Sequence, residues 1–516
     1  VQLDAARGRL FTNMKARKLG LNALIYGLGG MLNRMISFLL LPLFTHFLTP
    51  EDYGRAGMLQ ILSLLLSSVF SVGIGGSLSS CYFREESEGG KRQAVFSAVL
   101  LLLASSAVLL VGLLPFSGGL ADWLLEGREW TSLVVYTLIS SVCGIVVLPF
   151  VYSLQFAGQS RRFVALSAVS TVISALLNVC AVAWMQTGLA GWVFSQMLGQ
   201  AIAVLLYAAP FLRGGLTGGR RDLVKRLLLL GLPMVPCFAC MYVMQQGNRY
   251  AVEWVHGLGQ LGIYNVAISL ATVSSLAVSA FQTSWTPYFM SYRNQPEEAR
   301  TAFGRMTTYY VYFMGLVTVC FFAFAQPVVE IMTGSGFHAA WRGVGLLALA
   351  SVLVGATNLL TPAQYFSGRL AHLTVMQTVA AVCSIGINLL FVLSSASLES
   401  AAAALVVTYL LLLGIHYFWN RRGYSMELPV DYEWGRLLGT AAAVAAVAVF
   451  TLVCPAPTLA AASGKNFNVL LMVFVRSSAI VAVFALWLWA IMDSGTRSQC
   501  RQLLGRIIQR RSRSAA

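Results

Sequence analysis

Charge is what this sequence has least of: only 10% of its 516 residues are Asp, Glu, Lys or Arg, against roughly a quarter in ordinary soluble domains. A soluble domain of this length could not cover its surface with so few. Instead, apolar stretches of about 20 or more residues recur from Leu21 to Met492, each long enough to cross a hydrocarbon core roughly 30 Å thick. The predicted fold class is an all-α polytopic membrane protein of about 14 transmembrane helices. The spans fall near 21–44, 56–79, 93–115, 131–153, 163–185, 189–212, 227–255, 262–288, 307–327, 341–366, 371–395, 399–419, 434–454 and 467–492.

Acidic residues are scarcer still, 19 against 35 basic ones. No carboxylate falls in the central part of any span, which argues against a cation-coupled exporter that exchanges its cargo through membrane-embedded acids. Glu51, Asp52, Asp122, Glu126 and Glu129 fall in loops and read as solvated surface. Long loops are missing too, so a membrane-embedded glycan polymerase or ligase with catalytic residues on a large translocated loop is not expected. No Walker A pattern is present, and Gly73, Gly75 and Gly76 close a membrane helix instead of following a soluble strand. No cofactor or metal is expected. The nine cysteines sit mostly within spans, where the Cys237 and Cys240 pair reads as structural.

What is present is a one-sided distribution of basic residues. Placing the N-terminus in the cytoplasm puts 28 of the 35 in cytoplasmic segments and five in translocated ones, the asymmetry that fixes membrane orientation. The net charge of +16 is therefore a topology signal, and no nucleic-acid partner is expected. The segment 1–18 is basic and polar and the first apolar stretch is full length, so no cleavable signal is expected. Both termini are predicted to be cytoplasmic.

A weak repeat at an offset of about 210 residues pairs Gly158 with Gly368 and Asn178 with Asn388, and sets Tyr53 and Gly54 against the run Gly262 to Asn265. Six helices per unit is an even number, so two parallel six-helix lobes are expected, with a substrate cleft between them. The N-terminal lobe covers 1–212 and the C-terminal lobe 226–420, joined by a glycine-rich, basic and flexible cytoplasmic linker at 213–225. Two extra helices occupy 421–496. The basic tail 497–516 reads either as an interfacial helix on anionic lipid or as a disordered topology signal.

The candidate site residues are polar groups at membrane depth. Arg34, beside Asn33 in the first span, reads as an anion site in the cleft or as a structural arginine bonded to helix carbonyls, since an unpartnered arginine there costs about 2.5 to 3.5 kcal/mol. Arg249 lies in the polar run Gln245, Gln246, Asn248, Arg249, Tyr250 of the seventh span, and either converges on the cleft from the second lobe or snorkels to the interface. Arg476, in the last span, bonds backbone or headgroups, or guides lipid. Gln60, Gln155, Asn178, Gln196, Gln200, Gln282, Asn358 and Asn388 are able to bond sugar hydroxyls or to hold helices together. Pro233, Pro236, Pro287 and Pro362 would loosen their helices.

The stretch Pro42 to Gly54 resembles the signature after helix one of the polysaccharide-transporter (Wzx-type) branch of the multidrug/oligosaccharidyl-lipid/polysaccharide (MOP) exporter superfamily. Asn248 and Arg249, followed by Leu261 to Ala267, resemble its junction of helices seven and eight, with Asn248 where an Asp is frequent. The resemblance implies a V-shaped fourteen-helix flippase that carries undecaprenyl-pyrophosphate-linked glycan outward by alternating access. It further implies Arg34 on the pyrophosphate and helices thirteen and fourteen guiding the lipid tail. Its partners would be the lipid-linked oligosaccharide, membrane lipids and other polysaccharide-assembly proteins. The missing Asp leaves the coupling ion open.

Overall fold

The structure is a computed structural model and describes residues 35–493 and residue 497, apart from residues 37, 214–217, 293–294, 368–370, 395–396, 422–429 and 458–466. The described elements are helical: α1 (Phe38–Phe47), α2 (Pro50–Phe70), α3 (Ile74–Tyr82), α4 (Glu88–Leu113), α5 (Ser117–Leu125), α6 (Thr131–Val146), α7 (Leu148–Phe156), α8 (Ser160–Val179) and α9 (Gly188–Leu212). They continue with α10 (Arg221–Gly231), α11 (Val235–Ala271), α12 (Ser274–Ser291), α13 (Pro296–Met332), α14 (Trp341–Leu359), α15 (Pro362–Phe366), α16 (Ala371–Ser394), α17 (Leu398–Arg421), α18 (Trp434–Val453) and α19 (Phe467–Ile491). Among the described residues, twelve helical segments are long and apolar enough to cross a membrane. The expected first span lies largely outside the described residues. The expected seventh span and the start of the eighth share one segment, Arg221–Ala271, broken where Gly257 leaves helical geometry at φ 78° and ψ 173°.

Local chemistry sets these boundaries. At the start of α2, the Thr49 hydroxyl accepts from the Asp52 backbone N–H at 3.2 Å and the Asp52 carboxylate accepts from the Thr49 N–H at 3.3 Å. With Pro50 at the first helical position, the run Thr-Pro-Glu-Asp is a helix start in which one carboxylate has structural work, a cap worth about 1 kcal/mol. Asp52 and Glu51 also lie 3.7 and 3.9 Å from the Arg55 guanidinium, which stacks over Trp130. These two acids are thus more engaged than the solvated-surface reading expected.

Val72 and Gly73 carry φ of 48° and 58°, a left-handed pair that breaks the second span between α2 and α3. A β-branched residue in that region is an outlier. Three of the four singled-out prolines mark real interruptions: Pro233 sits in the 3-10 turn Leu232–Met234, Pro236 opens α11 and Pro362 opens α15. Pro287 lies inside α12.

Of the expected flexible linker, residues 221–225 are the first turn of α10, which buries Leu223, Leu227 and Gly231 at helical spacing. Arg220 anchors it: its N–H donates to Ser97 Oγ at 3.1 Å and its guanidinium meets Glu85 at 3.3 Å and Asp222 at 2.6 Å.

The first half of α11 runs antiparallel to α2, and after the Gly257 break its second half turns back along the start of α2, so that Gly262 lies against Pro50 and Gly57 against Asn265. Val72 lies against Gly231, Tyr242 Oη donates to the Ile61 carbonyl at 3.0 Å, and Gly54 lies against Leu258. Glycine sets the approach: a Cβ on Gly231 would sit 2.0 Å from the Val72 carbonyl oxygen, one on Gly54 2.0 Å from that of Leu258, and one on Gly262 1.8 Å from that of Pro50. Side chains would force the backbones apart.

The pair α18–α19 is tied to α13 at three heights. Arg300 meets Asp431 at 2.8 Å, Ser477 Oγ donates to the Ala323 carbonyl at 2.6 Å, and the Gln326 carboxamide pairs with both backbone groups of Ala456 at 2.8 and 2.9 Å. The loops alternate between two ends of the bundle. Arg55, Leu125 and Phe337 gather at one end, and Glu85, Arg220, Arg300 and Asp431 at the other.

Candidate functional site

A cavity of about 700 Å³ opens beside the α2–α11 seam, walled by α1, α2, α6, α8 and α9 on one side and by α11 and Thr272 on the other. Its polar lining includes Gln60 and Ser63 of α2, Asn178 of α8, Gln196 and Gln200 of α9, and Asn265 of α11. Of the eight amides singled out from sequence, Gln60, Asn178, Gln196 and Gln200 meet here, while Gln155, Gln282, Asn358 and Asn388 do not. Arg249 is the one charged side chain among the described lining residues. Its Nε is buried without a hydrogen-bond partner. A buried polar atom left unpaired costs about 1–3 kcal/mol, and more when charged.

The same deficit recurs around the cavity. Asn178 Oδ1, Trp192 Nε1 and both carboxamide atoms of Asn265 are buried and unpartnered. A polar ligand would satisfy those that a change of rotamer turns toward the cavity. The arginine gives the site its sign: a planar guanidinium suits a phosphate or carboxylate through bidentate hydrogen bonds, and none of the described lining residues is Asp or Glu.

Arg249 is held by its helix neighbours. Two turns before it, Tyr242 bonds the α2 backbone and shares a 2.9 Å hydrogen bond with Tyr250, the residue that follows Arg249. Asn248 is fully buried and donates to the Tyr264 hydroxyl, away from the cavity. It braces α11 across the Gly257 break and does not line the site. Gln245 is exposed and also off the lining. Arg476 lies elsewhere, donating to the Cys454 carbonyl at the end of α18 and stacking over Phe450 at 5.5 Å. Arg34 and Asn33 lie outside the described residues, and Ile36 and Phe38 of the same stretch line the cavity.

Aromatic rings cover one end of the cavity. Trp192 stacks on Phe44 at 4.8 Å and meets Tyr53 at 5.4 Å, and Tyr53 meets Phe337 edge-on at 5.7 Å. At the same end, a Cβ on Gly334 would sit 2.5 Å from the Thr45 carbonyl oxygen. Sequence reasoning missed Tyr53 as a lining group, together with Trp192, Asn265 and the serines and threonines of α8. Nothing in a single apolar helix separates these from ordinary packing residues; only their convergence does.

Residues 19–293 match the model of the family described as polysaccharide biosynthesis protein. That region contains every described residue of the cavity lining. The chain belongs to this polysaccharide biosynthesis family. A protein of the Lsg locus of Haemophilus influenzae is 22% identical over 276 residues, 52% of this chain, and the chain spans 65% of that relative's length. Among solved structures, a lipid II flippase, MurJ, in an inward closed conformation superposes with TM-score 0.67 at 11% identity, covering 90% of this chain and 98% of that one. An inward-facing MATE family multidrug resistance transporter of the MOP superfamily gives 0.64 at 15% identity, covering 75% and 94%. This member of the polysaccharide biosynthesis family therefore has the multi-pass helical fold that those two structures share. The resemblance read from Pro42 to Gly54 and from Leu261 to Ala267 points the same way.

Proposed function

We propose that the chain is a flippase that carries a polyprenyl-pyrophosphate-linked oligosaccharide, of the undecaprenyl class, from the cytoplasmic to the outer leaflet for surface polysaccharide synthesis. The observation that carries this reading is the cavity itself: an amide- and hydroxyl-rich chamber whose single charge among the described lining residues is Arg249, with its Nε buried and without a hydrogen-bond partner. An anionic group bearing sugars matches that lining, and a hydrophobic cation does not. Arg249 would hold the pyrophosphate, with Arg34 as the second anion-binding residue. The end that carries Arg55 and Phe337 is assigned to the outer face, because the basic residues concentrate at the opposite end; both termini are then cytoplasmic. On that assignment the ring cluster of Phe44, Tyr53, Trp192 and Phe337 closes the outer mouth. Alternating access requires this cluster and the adjoining glycine seam to part. An inside-negative potential favours outward movement of the anionic head by about 2.3 kcal/mol per charge per 100 mV.

The test is complementation of flippase-deletion strains, scoring surface glycan and lipid-linked intermediate. Wild type restores glycan; Arg249→Ala is membrane-inserted, loses export and accumulates the intermediate. Full export by a correctly inserted Arg249→Ala protein overturns the assignment of the site.

A further inference from the structure

The geometry points to a division of labour within the cavity: the α8–α9 wall reads the sugar, and it is built for uncharged, hydroxyl- and acetamido-bearing sugars. This inference rests on the flippase reading and concerns which headgroup the cavity selects.

Three observations carry it. First, the wall is assembled by a close helix contact. A Cβ on Gly199 would sit 2.4 Å from Ser174 Oγ, and Ser195 Oγ donates to the Leu177 carbonyl at 3.2 Å. The two helices thereby set Asn178, Gln196 and Gln200 on one lining surface. Second, that surface has unused hydrogen-bonding capacity. Asn178 lines the cavity and is 4% exposed; its Nδ2 donates to the Ser174 carbonyl at 2.7 Å, while its buried Oδ1 has no partner. It lies two residues before a single π-helical turn, Cys180–Trp184, a local widening that is frequent at functional sites. Trp192 stacks on Phe44 and meets Tyr53 at a tilt, and its buried Nε1 has no partner. Third, no Asp, Glu, Lys or Arg of α8 or α9 lines the cavity.

The chemistry follows. A carboxamide presents an acceptor and a donor side by side, which matches vicinal hydroxyls that each donate and accept, and matches an acetamido group equally well. An indole offers an apolar face to the C–H face of a pyranose and an N–H to a hydroxyl. An acidic sugar finds no cation on this wall and would have to compete with the pyrophosphate for Arg249.

The experiment measures binding of three probes to the full-length protein in detergent micelles: undecaprenyl pyrophosphate, the same lipid carrying N-acetylglucosamine, and the same lipid carrying galacturonic acid. The wild type is expected to bind the N-acetylglucosamine lipid at least about tenfold more tightly than the sugar-free lipid, and the galacturonic acid lipid with less than a threefold gain. Gln196→Leu/Gln200→Leu, whose side chains keep the volume and lose the polarity, is expected to bind the sugar-free lipid as wild type does and to lose the N-acetylglucosamine gain. Unchanged sugar-free binding certifies its fold. Arg249→Gln is expected to weaken all three probes together. A sugar gain that survives the double substitution, an equal gain for the acidic sugar, or no gain in wild type overturns the wall while leaving the flippase reading intact. Failure of the wild type to bind even the sugar-free lipid overturns the flippase reading, and this inference with it.

Discussion

Gly262→Ala tests the outer closure through a single methyl group. The Cβ it adds would lie 1.8 Å from the Pro50 carbonyl oxygen and 3.0 Å from the Gly54 amide nitrogen. Both are backbone atoms within a capped helix start, so no side-chain rotation relieves the clash. Contacts under 3.0 Å are essentially never seen for a real Cβ, so α2 and the second half of α11 must separate by at least about 1.2 Å. Overpacking of this kind costs about 1–3 kcal/mol. If the cost falls on the outer-closed state alone, the equilibrium moves toward the outer-open state by about 5- to 150-fold. The assay places one cysteine at Ser63, which lines the cavity, in a background with the nine native cysteines replaced, and follows its labelling by a charged, membrane-impermeant thiol reagent added outside. Gly262→Ala should accelerate labelling within that range. Gly57→Ala is the control, because its Cβ meets the Asn265 carboxamide at 1.8 Å, a side-chain end that is free to turn. Equal labelling of Gly262→Ala and wild type, with both proteins folded and inserted, would refute the argument that the glycine contact closes the outer mouth.

The remaining predictions concern the other ends and ties of the fold. Gly231→Ala should open the opposite end of the same seam, since its Cβ would lie 2.0 Å from the Val72 carbonyl oxygen; faster labelling of the Ser63→Cys reporter from the cytoplasmic side, with no gain from outside, is the expected pattern. Gln326→Leu removes both hydrogen bonds to the partly exposed backbone of Ala456, at about 0.5–1.5 kcal/mol each; protease should then cut the segment after α18 faster, while the α2–α11 seam keeps its protection. Breaking the exposed Arg220–Glu85 pair with Glu85→Gln should change stability by no more than about 1 kcal/mol, and high salt should reproduce the effect in wild type; a larger loss in thermal melting would show that α10 depends on this pair more than on its buried leucines.

Local chemistry and composition made much of the architecture legible. The membrane-spanning class follows from apolar runs that no soluble surface tolerates. The start of α2 follows from Thr49, Pro50 and Asp52, whose capping geometry involves only neighbours in the chain. The breaks at Pro233, Pro236 and Pro362 follow from a missing N–H. Arg249 stood out because charge at membrane depth is costly. The bracing role of Asn248 did not, because which face of a helix an amide occupies depends on what packs against it, here Tyr264. The linker reading failed at residues 221–225 for a related reason: the leucines of α10 gain a partner surface on α3 and α4 that the glycines at 214–219 do not advertise.

The sequence by itself determined that this chain lives in a membrane, which family it belongs to, and that a cation waits at membrane depth in its seventh span. Only the tertiary structure decided which amides face a common cavity, that Trp192 and Tyr53 roof it, and that Gly54 and Gly262 close its flank by backbone contact. Hydropathy and capping are sums over neighbours in sequence and can be read along it. A cavity is made by residues more than a hundred positions apart, from Gln60 to Arg249, and its shape exists only once the helices have packed.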